Sequence, residues 1–160
     1  MMAPAKSGRN VKLNFEQTIE ADLLTVWAAF DDPENMRRWQ QNFESYTHKS
    51  GVQRHAGAIA ELVLNDGKKK IILKETITER RDPDFLASSY ESAHGTTMIV
   101  NHFEAINATT TRWTSWCNFT FTGMMKYMTF FIAGSIRKRT EGDMQRFKLL
   151  IETTEASKQA

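Results

Sequence analysis

The chain has 160 residues and a formal charge of +2, with 21 Lys and Arg against 19 Asp and Glu; so even a balance leaves no electrostatic footprint for nucleic acid. Its single cysteine, Cys117, excludes an internal disulfide and points to a reducing compartment. Folding a chain of this length buries roughly 70% of its unfolded surface, enough for one core with room for a cavity.

Residues 1–10, MMAPAKSGRN, are polar and lack the apolar run of a signal peptide, so a disordered tail is expected there. The stretch VKLNFEQTIE alternates Val11, Leu13 and Phe15 against Lys12, Asn14 and Glu16, the period-2 signature of a half-buried strand. Asp22 then offers an N-cap to LLTVWAAF, where Leu23, Val26, Trp27 and Phe30 share one helical face. Asp31-Asp32-Pro33 ends that helix, and Pro33 suits the first turn of a second short one, ENMRRWQQ.

From Phe43 to Thr122 the pattern becomes strands: FESYTHKS, AIAELVLN, KIILKETITE, FLASSYESA, TMIVNHFEA and TRWTSWCNFTFT. The intervening segments carry turn chemistry, and Asn65-Asp66-Gly67 fits a hairpin turn with positive φ. Spacing this short leaves no room for crossover helices, so the sheet is expected to be an antiparallel meander. After Gly123 apolar residues recur at helical steps, from Met128 through Ile132, Ile136, Met144 and Phe147 to Ile151. Gly142 allows a bend, and residues 156–160 are expected to fray. The longest apolar stretch, YMTFFIAG, is far below the ~20 residues that span a bilayer. One domain over residues 11–155, in the cytoplasm, is the expectation.

This order resembles the START-like or SRPBCC superfamily, and within it the polyketide cyclase/dehydrase-like bacterial group. The matching segments are VWAAFDDPENMRRW, KETITERRDPDFLASSY, TTTRWTSWCNFTFTG and MQRFKLLIE. The resemblance implies an α+β helix-grip fold. A curved antiparallel sheet of about seven strands would follow, with two short helices after the first strand and one long C-terminal helix over the concave face.

Strand parity places Ile71, Leu73, Glu75 and Ile77 on one face, Leu86, Ser88, Tyr90 and Ser92 on another, and Trp113, Ser115, Cys117, Phe119 and Phe121 toward the helix. Parity in TMIVNHFEA is ambiguous. A chamber between sheet and helix would bind a small hydrophobic molecule: a lipid, an isoprenoid or quinone, or an aromatic polyketide-like compound. Trp39, Leu73, Tyr90, Trp113, Phe131 and Phe147 would line it, while Glu75, His102 and Ser115 would orient a polar end.

Carrier or sensor is the first reading. The second is a cyclase or dehydratase in which Glu75 and His102 act as acid and base, which requires both to face one chamber. The third is a co-chaperone-like interaction module, with a filled core and an exposed apolar patch. His48, His55, His94 and His102 lie in separate segments and suggest no metal site. No cofactor is expected, Cys117 reads as a small core residue, and a homodimer is left open. The start of the long helix, MMKYMTFFIAG, reads equally as ordinary packing or as a surface for a membrane or a partner.

Overall fold

A computed structural model describes residues 8–159; the tail expected over residues 1–10 lies largely outside them. The order is β1 (Arg9–Ile19), α1 (Leu23–Asp31), a 3-10 turn (Pro33–Asn35), α2 (Met36–Trp39), β2 (Phe43–Ser50), β3 (Ile59–Asn65), β4 (Lys70–Arg81), β5 (Phe85–Ser92), β6 (Gly95–Asn107), β7 (Thr110–Phe121), a second 3-10 turn (Gly123–Tyr127) and α3 (Thr129–Lys158). One antiparallel sheet runs β1-β7-β6-β5-β4-β3-β2. Hairpins join β2 through β7, and β1 closes on β7 because the α1–α2 connection carries the chain to the opposite edge. This is the helix-grip arrangement. α3 is unbroken at Gly142 and continues through Lys158, past the expected start of fraying.

Local chemistry sets the boundaries. Asp22 caps α1, its carboxylate accepting from the Thr25 amide at 3.0 Å and the Thr25 hydroxyl at 2.7 Å. Those bonds hold the Asp22 carboxyl below its ordinary range, the Thr25 hydroxyl contributing most. Asp32 accepts from the Glu34 amide at 2.9 Å and starts the Pro33 turn. Gly67 has φ +86°, as its turn requires, and Gly95 has φ +144° with space for no side chain, since a Cβ there would lie 2.0 Å from the Thr120 carbonyl oxygen.

The concave face of β6 and β7 carries an aromatic hub closed by α1, α2 and α3. Phe30 lies 4.9 Å from Phe103, 5.5 Å from Trp113 and 6.2 Å from Phe147, ring centre to ring centre. Trp39 stands 5.2 Å from Phe147 and 5.9 Å from Trp113. Each such pair adds about 0.5–1.5 kcal/mol beyond area burial. Polar ties fix α3 over this end: the Arg146 guanidinium donates to the Trp39 carbonyl at 3.0 Å, and Asp143 accepts from the Gln41 amide at 3.0 Å. α3 rests chiefly on β1 and α2.

Candidate functional site

Glu75 in the middle of β4 points into the concave face, where it is 1% exposed. The strand places it directly opposite Tyr90 of β5 and Ala60 of β3. The Tyr90 hydroxyl donates to Glu75 Oε2 at 2.7 Å. Glu75 Oε1 accepts no hydrogen bond among the described residues, and Arg54 Nη1 stands 3.6 Å from it. The buried carboxylate is thus neutralised by a cation yet keeps one free acceptor oxygen.

Arg54 comes from the β2–β3 loop. It sits at φ +63°, its side chain buried, in a loop pinned to β4 by hydrogen bonds from the Gly57 amide to the Ile77 carbonyl and from the Ile77 amide to the Ala58 carbonyl, at 2.8 and 3.0 Å. Arg54 Nε donates to Asp31 Oδ1 at 3.1 Å. Arg80 grips the same carboxylate with two parallel bonds of 2.8 and 2.9 Å, and also donates to the Arg54 carbonyl at 2.6 Å. Its guanidinium lies 5.2 Å from the Trp27 ring centre, a cation–π distance. The run Tyr90–Glu75–Arg54–Asp31–Arg80 therefore pairs two acids with two bases along the floor of the fold, as buried charges require.

Electrostatics follow from this run. Burial first, then the Glu75 charge, holds the Tyr90 phenol well above its ordinary range, so it stays a donor at physiological pH. Burial and Glu75 push the Tyr46 phenol in the same direction, opposed by Arg54. Hydrogen bonds that Arg80 donates to Asp82 and Asp31 raise it further above its ordinary value, against its burial. Around Glu75 the concave surface is apolar and half-buried, with Leu73, Tyr46 and Tyr90 packed about buried Met36, Ala60 and Leu62.

The residues named from sequence separate into groups. Leu73, Glu75 and Tyr90 meet on this surface. Trp39, Trp113 and Phe147 are in the hub, packed against one another rather than against open space. Ser115 is concave and buried, but it belongs to the row of Asn101 and Leu86, three strand steps from β4, about 14 Å across the sheet. Its hydroxyl lies 3.8 Å from the Cys117 sulfur. Cys117 is buried in the core, where burial pushes its thiol up to about 11.

Two expectations are corrected. His102 is exposed on the convex face: it pairs with Thr114 and Phe85, while the next residue, Phe103, is buried in the hub. A one-residue step reverses side-chain direction in a strand, so His102 and Glu75 open on opposite sides of the sheet. Phe131 is 75% exposed and lines no interior surface. The hub fills one half of the concave face, where Trp39, Trp113 and Phe147 were expected to line a chamber. A cleft of about 360 Å³ lies on the convex face beside His102, Thr114 and Trp116, and another of about 140 Å³ lies between β1 and α3; neither touches Glu75.

Arg54, Asp31 and Arg80 were not legible as site residues. Arg54 sits in a segment read only as a turn, and Asp31 in one read only as a helix stop. For Arg80 the cause is a β-bulge: the register of β4 on β5 shifts between Ile77 and Glu79, so the extra residue turns Arg80, opposite Leu86, toward the interior. Simple alternation from Ile77 would have turned Glu79 inward instead.

The family model described as polyketide cyclase / dehydrase and lipid transport matches residues 10–152. The chain belongs to this family. Solved structures similar to it share the fold at low identity. The aromatase/cyclase Zhui from Streptomyces superposes with a TM-score of 0.75 at 10% identity, over 90% of this chain and 94% of that one. A Thermus thermophilus protein gives 0.75 at 14% identity, covering 90% and 99%. Ara h 8.0201 gives 0.70 at 10% identity, covering 90% and 99%. No curated protein matches in sequence. Among the described residues no helix is long and apolar enough to cross a membrane.

Proposed function

We propose that the concave face around Glu75 binds a small hydrophobic molecule by a polar end, as a carrier or sensor. The observation that carries this reading is the unpartnered Oε1 of Glu75, a buried carboxylate oxygen bordered by half-buried apolar side chains. A hydroxyl on the ligand would donate to Oε1, and its apolar body would lie along Leu73 and the exposed flanks of Tyr46 and Tyr90. Lipids, isoprenoid or quinol compounds and phenolic polyketide-like molecules all fit that description. The family's description as lipid transport supports the same reading. The acid–base pair of Glu75 with His102 is not carried forward, since the two residues lie on opposite faces.

Native mass spectrometry of freshly purified protein, followed by solvent extraction, tests the reading. A stoichiometric hydroxyl-bearing hydrophobic compound is expected, and its loss from Glu75→Leu protein that remains folded. A clean apo mass, unchanged after incubation with a long-chain alcohol, would overturn it.

A further inference from the structure

We infer that the segment Gly123–Thr140 docks the protein reversibly on an anionic lipid surface. Five large apolar side chains in its first half face water: Met124 is 81% exposed, Tyr127 72%, Met128 51%, Phe130 86% and Phe131 75%. They are adjacent in the chain, and the rings of Phe130 and Phe131 lie 5.7 Å apart. Scattered exposed apolar residues need no explanation, but a contiguous group of this kind marks a surface that something covers. Aromatic rings with a polar tip, such as Tyr127, and flexible methionines suit the boundary between headgroups and acyl chains.

Charge decides the occupant. Between Glu104 and Glu141 the chain contains no Asp or Glu, and within 123–140 it carries Lys126, Arg137, Lys138 and Arg139. Lys126 leans over the Tyr127 ring, its Nζ 5.1 Å from the ring centre. Arg137 meets Glu141 at 3.6 Å and the Phe15 ring at 5.6 Å, while Lys138, two helical turns beyond Phe130 and Phe131, is exposed. Apolar side chains with a basic rim, whose neighbouring acid Glu141 is spent on Arg137, are complementary to anionic headgroups. A second copy of the chain would instead bring the same four cations against one another, and protein interfaces are depleted in Lys. With no helix able to cross a bilayer among the described residues, the contact is peripheral. This surface lies outside the Glu75 site and does not depend on the ligand reading.

The test is co-sedimentation with phosphatidylcholine vesicles prepared with and without phosphatidylserine. Binding is expected only when phosphatidylserine is present, and it should weaken at roughly 0.5 M salt, where charges are screened within a few ångströms. The double variant Phe130→Ser, Phe131→Ser should bind about tenfold or more weakly, from the apolar area it removes. Lys138→Glu should weaken binding by about fivefold or more. Both changes are at exposed positions, so an unchanged thermal melt confirms the fold. Glu75→Leu should bind vesicles like the wild type, which separates failure here from failure of the ligand reading. No sedimentation with either vesicle, or equal sedimentation of both variants and wild type, would overturn the inference. A concentration-dependent dimer that the double variant dissociates, without vesicle binding, would assign the surface to self-association instead.

Discussion

Tyr90 donates its hydroxyl to Glu75 Oε2 at 2.7 Å, and the two residues stand directly opposite one another on β5 and β4. This pairing is what lets a carboxylate remain 1% exposed on a surface otherwise made of apolar side chains. Tyr90→Phe removes the donor and leaves both carboxylate oxygens without a hydrogen bond. The expected cost is about 1.5–3 kcal/mol in urea unfolding, the range for bonds to charged groups. An unchanged midpoint would show that the bond is not made in solution.

Asp31 is the hinge of the buried charge run, held by Arg54 on one side and by two bonds from Arg80 on the other. Asp31→Asn removes the anion that Arg54 and Arg80 share, leaving Arg54 beside Glu75 and Arg80 bonded to Asp82. A loss of about 1.5–3 kcal/mol is expected, the range for bonds to charged groups. Arg80→Lys should cost less but remain measurable, because an ammonium cannot make the two-pronged contact. If Asp31→Asn melts like the wild type, the run carries no stability.

The hub and the helix start should respond in opposite ways to loss of one ring. Phe147 is fully buried between Phe30, Trp39 and Trp113, so Phe147→Ala is expected to cost about 3–5 kcal/mol. Phe130→Ser removes a ring that is 86% exposed and should change stability by less than about 0.5 kcal/mol. Comparable losses at both positions in calorimetry would mean that the start of α3 is packed in solution.

Alkaline pH should destabilise the fold through Cys117 before Tyr90. Burial pushes the folded thiol up to about 11 from an ordinary 9.0, so the folded state keeps a proton that the unfolded chain has lost. Its contribution is complete below about pH 9 and is lost as pH rises through about 11, up to about 2 kcal/mol. The raised Tyr90 phenol adds a loss of the same sign that begins only above pH 10. Cys117→Ala should flatten the stability profile between pH 9 and 11 and leave the slope above it. The same slope in wild type and variant would refute the assignment.

The elements were legible because their periods were clean. Val11, Leu13 and Phe15 alternate without interruption, and the Asp22 cap and the Asp32-Pro33 stop each act within a few residues of their position. Alternation put Glu75 on the face of Leu73 and Ile77, which holds because Glu75 precedes the bulge in β4 and Tyr90 stands opposite it on β5. What was not legible depended on geometry that no local pattern encodes. Arg54 reaches Glu75 because a loop folds back across β4, and Arg80 turns inward because a single extra residue reverses the phase of its strand. His102 fell on the wrong side because apolar residues occupy both parities of β6, Met98 and Val100 on its own face and Ile99 and Phe103 on the other; the burial of Asn101, which accepts from the Trp113 indole at 2.9 Å, fixes the phase only in three dimensions. The filled hub likewise depends on how α1, α2 and α3 meet, which residue spacing leaves open.

The central claim is that the Glu75 surface receives the polar end of a hydrophobic molecule. The most direct measurement is an NMR titration of methyl and aromatic resonances with a long-chain alcohol. Saturable shifts are expected at Leu62, Leu73 and Tyr90, absent in folded Glu75→Leu protein. Shifts confined to Trp116 on the convex face or to Phe130 and Phe131, with Leu73 and Tyr90 unmoved, would contradict it.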